Sequence, residues 1–470
     1  MPNFEPLWVR LLGREVLSRP RGPETGLVLG QTGHVAQTRS LKVSKAQRLR
    51  GTIRPPSDKS LTHRAFILAA MATQGPSRIV NPLVGEDCLS TVDCLRETGA
   101  DIEIFDEDDF GTSPFALVTR EREWSSPDVP LDCGNSGTTI RLLAGLLASK
   151  PGLDAVLVGD ASLSRRPMRR IVSPLLEMGA SIEGETPPLR VSGRQLTGIN
   201  YMSPVASAQV KTCLLLAGLG SLGETWVSEP SLSRDHTERM FESLGIDLMR
   251  DERLGVGVRG GQTPDPLDFE VPGDISSAAF LMVAAAMVPG SDLTLMEVGV
   301  NPTRTGVIDV LKSAGVQVLL EHERESTGEP VADVRVSGSA ELAPFSVSGE
   351  LVPRLVDEIP VLAVLASQCD GVSSFRDASE LKVKESDRIE TVATGLRAMG
   401  CKVETFEDGM SVFGPTKLVG ATIDATGDHR IAMAFAVAGL LADGETTILN
   451  AESVATSYPN FEADLRLLVD

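Results

Sequence analysis

The feature of this 470-residue sequence that most constrains its fold is a diverged internal repeat. An apolar helix-forming stretch with small or polar residues at its start recurs six times, at a period of roughly 70 residues that exceeds the usual range of solenoid repeats. The six openings read SDKSLTHRAFILAAM at Ser57, GNSGTTIRLLAGLLA at Gly134, ASAQVKTCLLLAGL at Ala206, GDISSAAFLMVAAAM at Gly273, VDEIPVLAVLAS at Val356 and GDHRIAMAFAVAGLL at Gly427. The sequence therefore predicts six copies of one structural unit.

A second helix and several strands complete each unit. Short apolar strands follow the first helices, as in PSRIVNPL, LDAVLVGD, ETWVSEP, SDLTLMEVG and ETTILNA. The second helix stops five times at a glycine before another strand, which is typical of a left-handed helix C-cap. These glycines are Gly99, Gly179, Gly245, Gly315 and Gly400, whereas the sixth copy ends in FEADLRLLVD. Each unit is predicted to run helix, strand, helix and then strands.

The first helices are apolar on almost every face, as in LLLAGLGSL and AMAFAVAGLL. Such helices are buried rather than half exposed, so we expect them inside the protein with strands wrapped around them. The length suits two or three domains, and six units divide into two sets of three. Two three-fold domains would point many helix N-termini toward one cleft. Because helix N-termini are positive, that cleft would suit a ligand with several negative groups.

The overall charge and the cysteine pattern exclude several classes of function. A net charge of −20 disfavours nucleic acid and anionic membranes as partners. The six cysteines are scattered without a CxxC pair, which is typical of structural thiols in a reducing cytosol, so a cytoplasmic location is expected. With five histidines a His-rich metal site is not expected, and no run of about 18 apolar residues predicts a transmembrane helix.

The first 40 residues differ from the rest of the chain. They contain five arginines together with Gly, Pro and Thr, and no long apolar segment of the kind found in secretory signals. We interpret residues 1–40 as a mobile N-terminal extension or an over-long start of the open reading frame. An organellar transit peptide is the alternative, because the segment is Arg-rich.

Cations gather where helices begin, although a positive helix end should repel each of them by about 0.3–1 kcal/mol. Lys59 and Arg64 lie in the first turns of the first helix, which indicates that an anion is bound there. The other helix starts contribute Asn135, Gly137, Thr138, Arg141, Arg166, Ser207, Gln209, Lys211, Arg234, Asp357, Glu358, Lys384, Glu385, Arg388, Asp428, His429 and Arg430. Since Arg pairs bidentately with phosphate and carboxylate, several cations imply a ligand carrying both groups.

Nucleotide-binding and hydrolase motifs are not found. The sequence has no GxxxxGK[ST] run, no GxGxxG after a strand and no GxSxG elbow.

Seven stretches resemble the EPSP synthase family of 3-phosphoshikimate 1-carboxyvinyltransferases: SDKSLTHR, GNSGTTIR, RPMRR, ASAQVK, VDEIPVLAV, LKVKESDR and GDHRIAM. The resemblance extends from about Leu41 to the C-terminus, and RDHTE, SAQVK and NPTR are similar to the second class of these enzymes, many of which tolerate glyphosate. It implies a two-lobed inside-out α/β barrel with three βαβαββ repeats per lobe. One lobe would comprise residues 58–271 and the other residues 41–57 with 272–470.

The resemblance also implies a reaction and a site. The carboxyvinyl group of phosphoenolpyruvate would be transferred to the 5-hydroxyl of shikimate 3-phosphate, with release of phosphate. Residues that resemble the shikimate 3-phosphate site are Lys59, Ser60, Arg64, Ser207, Gln209, Arg234, Asp357 and Lys384. Residues that resemble the phosphoenolpyruvate site are Lys59, Gly137, Arg166, Gln209, Arg388 and Arg430.

The chemistry explains these residue types. Asp357 is predicted to take the proton of the 5-hydroxyl as it attacks C2, and Glu385 to exchange the proton at C3, with Lys59 sharing the proton traffic. A base and an acid tuned near the working pH would contribute about 10²–10⁴-fold. No metal and no organic cofactor are needed, and a monomer with two small-molecule substrates is expected.

Two departures from the family pattern leave questions open. The first class has a lysine near the C-terminus where this chain has Thr456 and Ser457, as in the second class, so a phosphate contact there is not expected. Some tolerant enzymes carry Ala where this chain has Gly137, so glyphosate tolerance is left open.

Other interpretations stay open at this point. Glu358 is a candidate helix cap, and His429 is a candidate buried structural imidazole rather than an acid or base. A UDP-N-acetylglucosamine carboxyvinyltransferase shares the implied fold and donor, but no cysteine here lies in the loop where that enzyme has one. A non-catalytic anion-binding protein on this fold is the third alternative, and intact Asp357, Glu385 and Lys59 disfavour it.

Overall fold

Twelve α-helices occur in residues 40–106 and 113–469, the part of the chain that the computed structural model describes. They are α1 (Lys59–Met71), α2 (Glu86–Glu97), α3 (Gly137–Ala148), α4 (Arg169–Glu177), α5 (Ala208–Leu219), α6 (His236–Ser243), α7 (Ile275–Met287), α8 (Gly306–Ser313), α9 (Ile359–Ala366), α10 (Arg388–Ala398), α11 (His429–Gly439) and α12 (Phe461–Leu468). The odd-numbered helices are the six predicted first helices. Apart from Ser40, the predicted extension 1–40 lies outside the described residues.

The strands are short. They are β1 (Leu41–Val43), β2 (Arg50–Ile53), β3 (Ser77–Val80), β4 (Asp101–Phe105), β5 (Phe115–Thr119), β6 (Leu131–Asp132), β7 (Asp154–Val158), β8 (Ser181–Glu183), β9 (Leu189–Ser192), β10 (Leu196–Thr197), β11 (Asn200–Met202), β12 (Ser221–Leu222), β13 (Glu224–Ser228), β14 (Leu248–Asp251), β15 (Gly255–Arg259), β16 (Asp268–Glu270), β17 (Asp292–Gly299), β18 (Gln317–Ser326), β19 (Glu329–Ser337), β20 (Ser346–Val347), β21 (Gly371–Phe375), β22 (Lys402–Phe406), β23 (Gly409–Gly414), β24 (Thr422–Asp424) and β25 (Thr446–Leu449).

The helix ends follow the local sequence signals. Five first helices begin at a side-chain cap, provided by Asp58, Ser136, Ser207, Asp274 and Asp428. Each cap accepts a hydrogen bond from a backbone N–H of the first turn, which satisfies a donor that the helix leaves free. The five predicted C-cap glycines all have positive φ, between 73° and 108°, so that prediction is confirmed.

Five four-stranded sheets and one three-stranded sheet share one plan. The strand that follows each first helix pairs in parallel with a short strand, which directly precedes that helix in four of the six sheets. An antiparallel hairpin extends each four-stranded sheet, and β1 takes that antiparallel edge in the three-stranded sheet. The sheet orders are β16-β3-β5-β4, β6-β7-β9-β8, β11-β13-β15-β14, β2-β17-β19-β18, β20-β21-β23-β22 and β1-β25-β24. The sequence pattern missed the strands that precede the first helices, because two to four residues are too few to show an alternation.

Two of these strands come from distant parts of the chain. β16, near residue 270, completes the sheet of the first repeat, and β2, near residue 50, completes that of the fourth. The chain therefore crosses between the two sets of repeats twice. The crossing segments pair with each other, because Asp58 N donates to Pro272 O and Asp274 N donates to Pro56 O, each at 2.8 Å.

The buried apolar residues form two cores. One contains residues between Leu61 and Val271, and the other combines residues 41–53 with residues 275–468. We call these parts the N-terminal repeat set (residues 59–271) and the C-terminal repeat set (residues 41–53 and 275–468). The predicted lobe boundaries stay a prediction, since residues 40–106 and 113–469 group as one unit. No helix in the described residues is both long and apolar enough to cross a bilayer.

Candidate active site

A cleft lined by both repeat sets gathers most of the predicted site residues. Twelve of the thirteen line it: Lys59, Ser60, Gly137, Arg166, Ser207, Gln209, Arg234, Asp357, Lys384, Glu385, Arg388 and Arg430. The thirteenth, Arg64, is buried behind the cleft wall, where its guanidinium donates to Thr237, Thr212 and the Ser60 carbonyl. Its role as a contact to the shikimate carboxylate stays a prediction.

Lys59 is the first residue of α1 and points to a carboxylate. Its Nζ lies 2.9 Å from Asp87 Oδ2. Burial works against the charged form of Lys59, but Asp87 outweighs it, so the pKa of the ammonium is raised. Lys59 therefore stays cationic at the N-terminus of α1, where the positive end of the helix also favours an anion.

The glycine turn before α3 brings two guanidinium groups together. A Cβ on Gly137 would lie 2.5 Å from Arg141 Nη1 and 3.4 Å from Arg166 Nη1, so these side chains depend on the absence of a side chain there. Arg141 also donates to Gln209 Oε1 at 2.9 Å, and Arg166 donates to Asn135 Oδ1 at 2.7 Å. The turn thus presents bare backbone with cations on one side, an arrangement that suits phosphate.

Asp357 lies among four cations from both repeat sets. Its carboxylate is 2.5 Å from Arg234 Nη2, 3.4 Å from Arg388 Nη1, 3.7 Å from Arg430 Nη2 and 3.8 Å from Lys384 Nζ. Burial raises its pKa, but Arg430, Lys384, Arg234 and Arg388 together hold the pKa of this carboxyl well below its usual value.

Glu385 likewise lies between guanidinium groups from both repeat sets. Arg388 Nη2 lies 2.6 Å from one carboxylate oxygen and Arg166 Nη1 lies 3.7 Å from the other. Burial acts in the opposite direction, but Arg388 and Arg166 lower the pKa of Glu385 well below its usual value. Arg388 is 1% exposed and is itself fixed by Asp428, whose Oδ2 accepts from Nε at 2.8 Å.

These pKa shifts correct one expectation. The sequence analysis expects a base and an acid tuned near the working pH, whereas Asp357 and Glu385 titrate far below it in this arrangement. The reason is that cations collected for anionic ligands also stabilise the carboxylates beside them. Ligand anions that bind the same cations would raise both pKa values.

The buried histidines and cysteines differ in their relation to the cleft. His429 lines it, and burial lowers its pKa to about 3, as it does for His63, which bonds to Thr91 Oγ1 away from the cleft. The six cysteines are free and buried, and burial raises the pKa of Cys88, Cys213, Cys369 and Cys401. A reactive thiolate needs an exposed, electropositive setting, which these four thiols lack.

Several residues at the cleft escaped the sequence analysis. They are Asp87, Arg170, Asp274, Arg304 and Glu380. Asp87 lies at the start of a second helix, as the predicted Glu385 does at another, so its position alone makes it predictable from the sequence. Arg304 lies in NPTR, which pointed only to the class of enzyme. Among the described residues, no three His, Cys, Asp or Glu side chains cluster as metal ligands.

The N-terminal repeat set thus contributes Lys59, Arg166 and Arg234, and the C-terminal set contributes Asp357 and Glu385 together with Lys384, Arg388 and Arg430. Cations in this number can hold two anions side by side against their mutual repulsion, and carboxylates beside them can move protons. Fold and site together define the class: a group transferase that joins two anionic substrates in a cleft of an α/β protein.

Comparisons with known proteins identify the family. The model of the family EPSP synthase (3-phosphoshikimate 1-carboxyvinyltransferase) matches residues 43–465. The 3-phosphoshikimate 1-carboxyvinyltransferase of Brevibacillus brevis is 50% identical over 428 residues, which cover 90% of this chain and 98% of the relative. That of Pelotomaculum thermopropionicum is 49% identical over 438 residues, which cover 92% and 99%. The chain belongs to the EPSP synthase family.

Solved structures agree with this assignment. The EPSP synthase of Acinetobacter baumannii is 41% identical and superposes with a TM-score of 0.80, covering 92% of this chain and 99% of that one. An enolpyruvyl transferase of Streptomyces tendae, at 20% identity and a TM-score of 0.73, shares the fold. The predicted two-lobed inside-out α/β barrel is confirmed.

The predicted activity is confirmed as well. The chain is a transferase of the shikimate pathway, which leads to aromatic amino acids. It transfers the carboxyvinyl group of phosphoenolpyruvate to the 5-hydroxyl of shikimate 3-phosphate and releases phosphate.

Proposed function

We propose that this transfer takes place in the cleft between the repeat sets, with Asp357 and Glu385 as proton-transfer groups and Lys59 assisting both. The observation that carries the proposal is the convergence of Lys59, Arg166, Arg234, Arg388 and Arg430 on two carboxylates in one cavity.

The two substrates divide the cations between them. Phosphoenolpyruvate binds Lys59, Arg166, Arg388 and Arg430 beside the bare backbone of Gly137. Shikimate 3-phosphate binds Ser60, Ser207, Arg234 and Lys384, with Arg64 placed behind Ser60. Gln209 and Lys59 lie between the two groups and contact both substrates. The N-terminus of α5 keeps its positive character because its cap, Ser207, is neutral, and it therefore favours the phosphate.

The chemistry follows from the position of the two carboxylates. Asp357 accepts the 5-hydroxyl proton as the oxygen forms its bond to C2 of phosphoenolpyruvate, and Glu385, protonated from solvent once the bound substrates have raised its pKa, gives a proton to C3. In the second half of the reaction C3 gives up a proton to Glu385 while the C2–O bond to phosphate breaks. The anionic groups of both substrates bind the same cations that now stabilise the carboxylates of Asp357 and Glu385. Substrate binding therefore raises the pKa of each carboxyl toward the range where it accepts a proton.

Location and assembly belong to the same proposal. Six free, buried cysteines suit a reducing compartment, so we place the enzyme in the cytoplasm. A cleft built from one chain supports a monomer. The charge of −20 supports a protein without nucleic-acid or membrane partners.

The test is phosphate release by the purified protein. We expect release only when shikimate 3-phosphate and phosphoenolpyruvate are both present, and none when UDP-N-acetylglucosamine replaces the acceptor. Equal turnover with the nucleotide sugar, or no phosphate from the expected pair, would refute the assignment.

A further inference from the structure

Arg304 joins the two crossing segments of the chain. It is 2% exposed and lies in the loop between β17 and α8. Its Nη1 donates to Asp58 Oδ2 and its Nη2 donates to Asp274 Oδ1, each at 3.0 Å. Asp58 and Asp274 are the caps of α1 and α7, and their backbones belong to the paired crossing segments. One guanidinium thus fixes both places where the chain passes between the repeat sets.

His236 of the N-terminal repeat set also contacts Arg304. Arg304 Nη1 lies 3.2 Å from His236 Nε2, and His236 Nδ1 lies 2.8 Å from Glu329 Oε1. Because a guanidinium can only donate, Nε2 accepts and Nδ1 carries the proton that is donated to Glu329. This buried network joins elements of both repeat sets.

Two residues of the proposed chemistry, Lys59 and Asp357, are each adjacent in the chain to a member of this network. Lys59 follows Asp58 directly. On the other side, Arg304 Nη2 donates to Ser276 Oγ at 2.7 Å, and Ser276 Oγ donates to Glu358 Oε1. Glu358 is 0% exposed, directly follows Asp357, and forms no cap bond to α9. Glu358 is thus the N-cap residue of α9 by position, but its carboxyl faces the network instead of binding a backbone N–H of the helix.

We propose that Arg304 is a positioning residue that aligns Lys59 with Asp357, acting through Asp58 on one side and through Ser276 and Glu358 on the other. The inference rests on the roles proposed above for Lys59 and Asp357. A movement of the crossing segments would shift Asp58 and Asp274 relative to each other. Arg304 can donate to both carboxylates only when they lie at the spacing of its two Nη atoms. A misplacement of about 1 Å between reacting groups can cost about 10²-fold in rate.

Two variants of the full-length protein test this, Ser276→Ala and Arg304→Lys. Ser276→Ala keeps the backbone N–H that Asp274 caps and removes the two hydrogen bonds through which Oγ links Arg304 to Glu358. We expect its kcat to fall about 10-fold, while KM for phosphoenolpyruvate and the calorimetric Kd of shikimate 3-phosphate change less than about twofold. A lysine at 304 cannot bridge two carboxylates in a fixed fork, so kcat should fall about 10²-fold.

Arg354→Lys is the matched control. Arg354 holds the same loop through the Pro302 carbonyl and Thr305 Oγ1 but does not touch the network. Wild-type kcat in both test variants overturns the proposal, as does a fall in kcat that only follows the folded fraction measured by circular dichroism. Loss of folding in both variants would also overturn it, since the network would then be only structural. Failure of the proposed function is distinguished by the wild type, which would release no phosphate.

Discussion

The two repeat sets share one unit but differ in how most of their first helices begin. In the N-terminal set, α3 and α5 are capped by the neutral hydroxyls of Ser136 and Ser207, and only α1 has a carboxylate cap, Asp58. In the C-terminal set, α7 and α11 are capped by the carboxylates of Asp274 and Asp428. A neutral cap leaves the positive helix end free for a ligand anion, whereas a carboxylate cap cancels much of it and attracts a guanidinium.

The proposed roles differ between the sets as well. Both sets supply cations for the anions, Lys59, Arg166 and Arg234 from the N-terminal set and Lys384, Arg388 and Arg430 from the C-terminal set. The two carboxylates proposed to transfer protons, Asp357 and Glu385, both belong to the C-terminal set. Ion pairs from Arg234 to Asp357 and from Arg166 to Glu385 join the two surfaces. The cleft therefore contains a complete set of site residues only where the two cores meet.

The largest effect is expected from Asp357→Asn, which removes the reacting carboxylate from the C-terminal set. We expect kcat to fall about 10³-fold, because a general base contributes about 10²–10⁴-fold, while both anions still bind. Phosphate release and calorimetric binding of shikimate 3-phosphate measure the two effects. Asp309→Asn, which affects only a pair with Arg354 outside the cleft, is the control. A kcat within tenfold of wild type would place the base elsewhere.

Lys59→Ala tests the binding surface of the N-terminal set. Loss of the ammonium also leaves Asp87 without its partner, so kcat/KM for phosphoenolpyruvate should fall about 10²-fold while the protein stays folded. Initial rates and circular dichroism are the measurements, with the exposed Lys312→Ala as the control. Near-normal kinetics would reject the role of Lys59.

One buried histidine in each set predicts the pH dependence of stability. His63 and His429 have pKa values lowered to about 3 from 6.5, so below pH 6.5 the unfolded chain binds protons that the folded chain does not. The free energy of unfolding therefore falls with decreasing pH, by about 2 kcal/mol per histidine between pH 6.5 and 5.

Urea unfolding at several pH values measures this effect. His63→Gln and His429→Gln should each remove one histidine's share of the slope, and only the change at His429, which lines the cleft, should alter turnover. An unchanged slope in either variant would show that the imidazole becomes charged in the folded protein.

Gly137→Ala probes the space beside the N-terminal helix ends. Its Cβ would press on the guanidinium of Arg141 and approach Arg166, so we expect KM for phosphoenolpyruvate to rise about 10-fold with kcat largely kept. Inhibition curves with glyphosate on both proteins would settle the question of tolerance that the sequence leaves open. An unchanged KM would mean that phosphoenolpyruvate lies away from this turn.

The smallest effects should be equal in the two sets. Gly179 and Gly400 end second helices in opposite sets, with φ of 91° and 93°, and neither would meet a close neighbour with an added Cβ. Replacement by Ala should lower the free energy of unfolding by about 1 kcal/mol in each case, without changing turnover. Chemical denaturation measures it. A much larger cost at one position would show that the sets do not share this turn.

Local signals determined much of the fold. The apolar first helices, their caps and the C-cap glycines depend on residues within a few positions of one another. They can therefore be predicted from the sequence alone. The residue types at helix starts likewise located twelve of the thirteen candidate residues on one cleft. The short strands β2 and β16 could not be predicted from the sequence, because each pairs with a strand about 200 residues away.

The sequence by itself determined the repeated unit, the positive helix starts and the chemical types of the site residues. Only the tertiary structure decided that Arg64 lies behind the cleft, that Asp357 and Glu385 have strongly lowered pKa values, and that Arg304 binds both crossing segments. Each of these outcomes depends on distances and burial among residues far apart in the chain. Electrostatic energy depends on the distances between charges and on how far water is excluded from them. Neither the distances nor the burial can be read from the order of the residues.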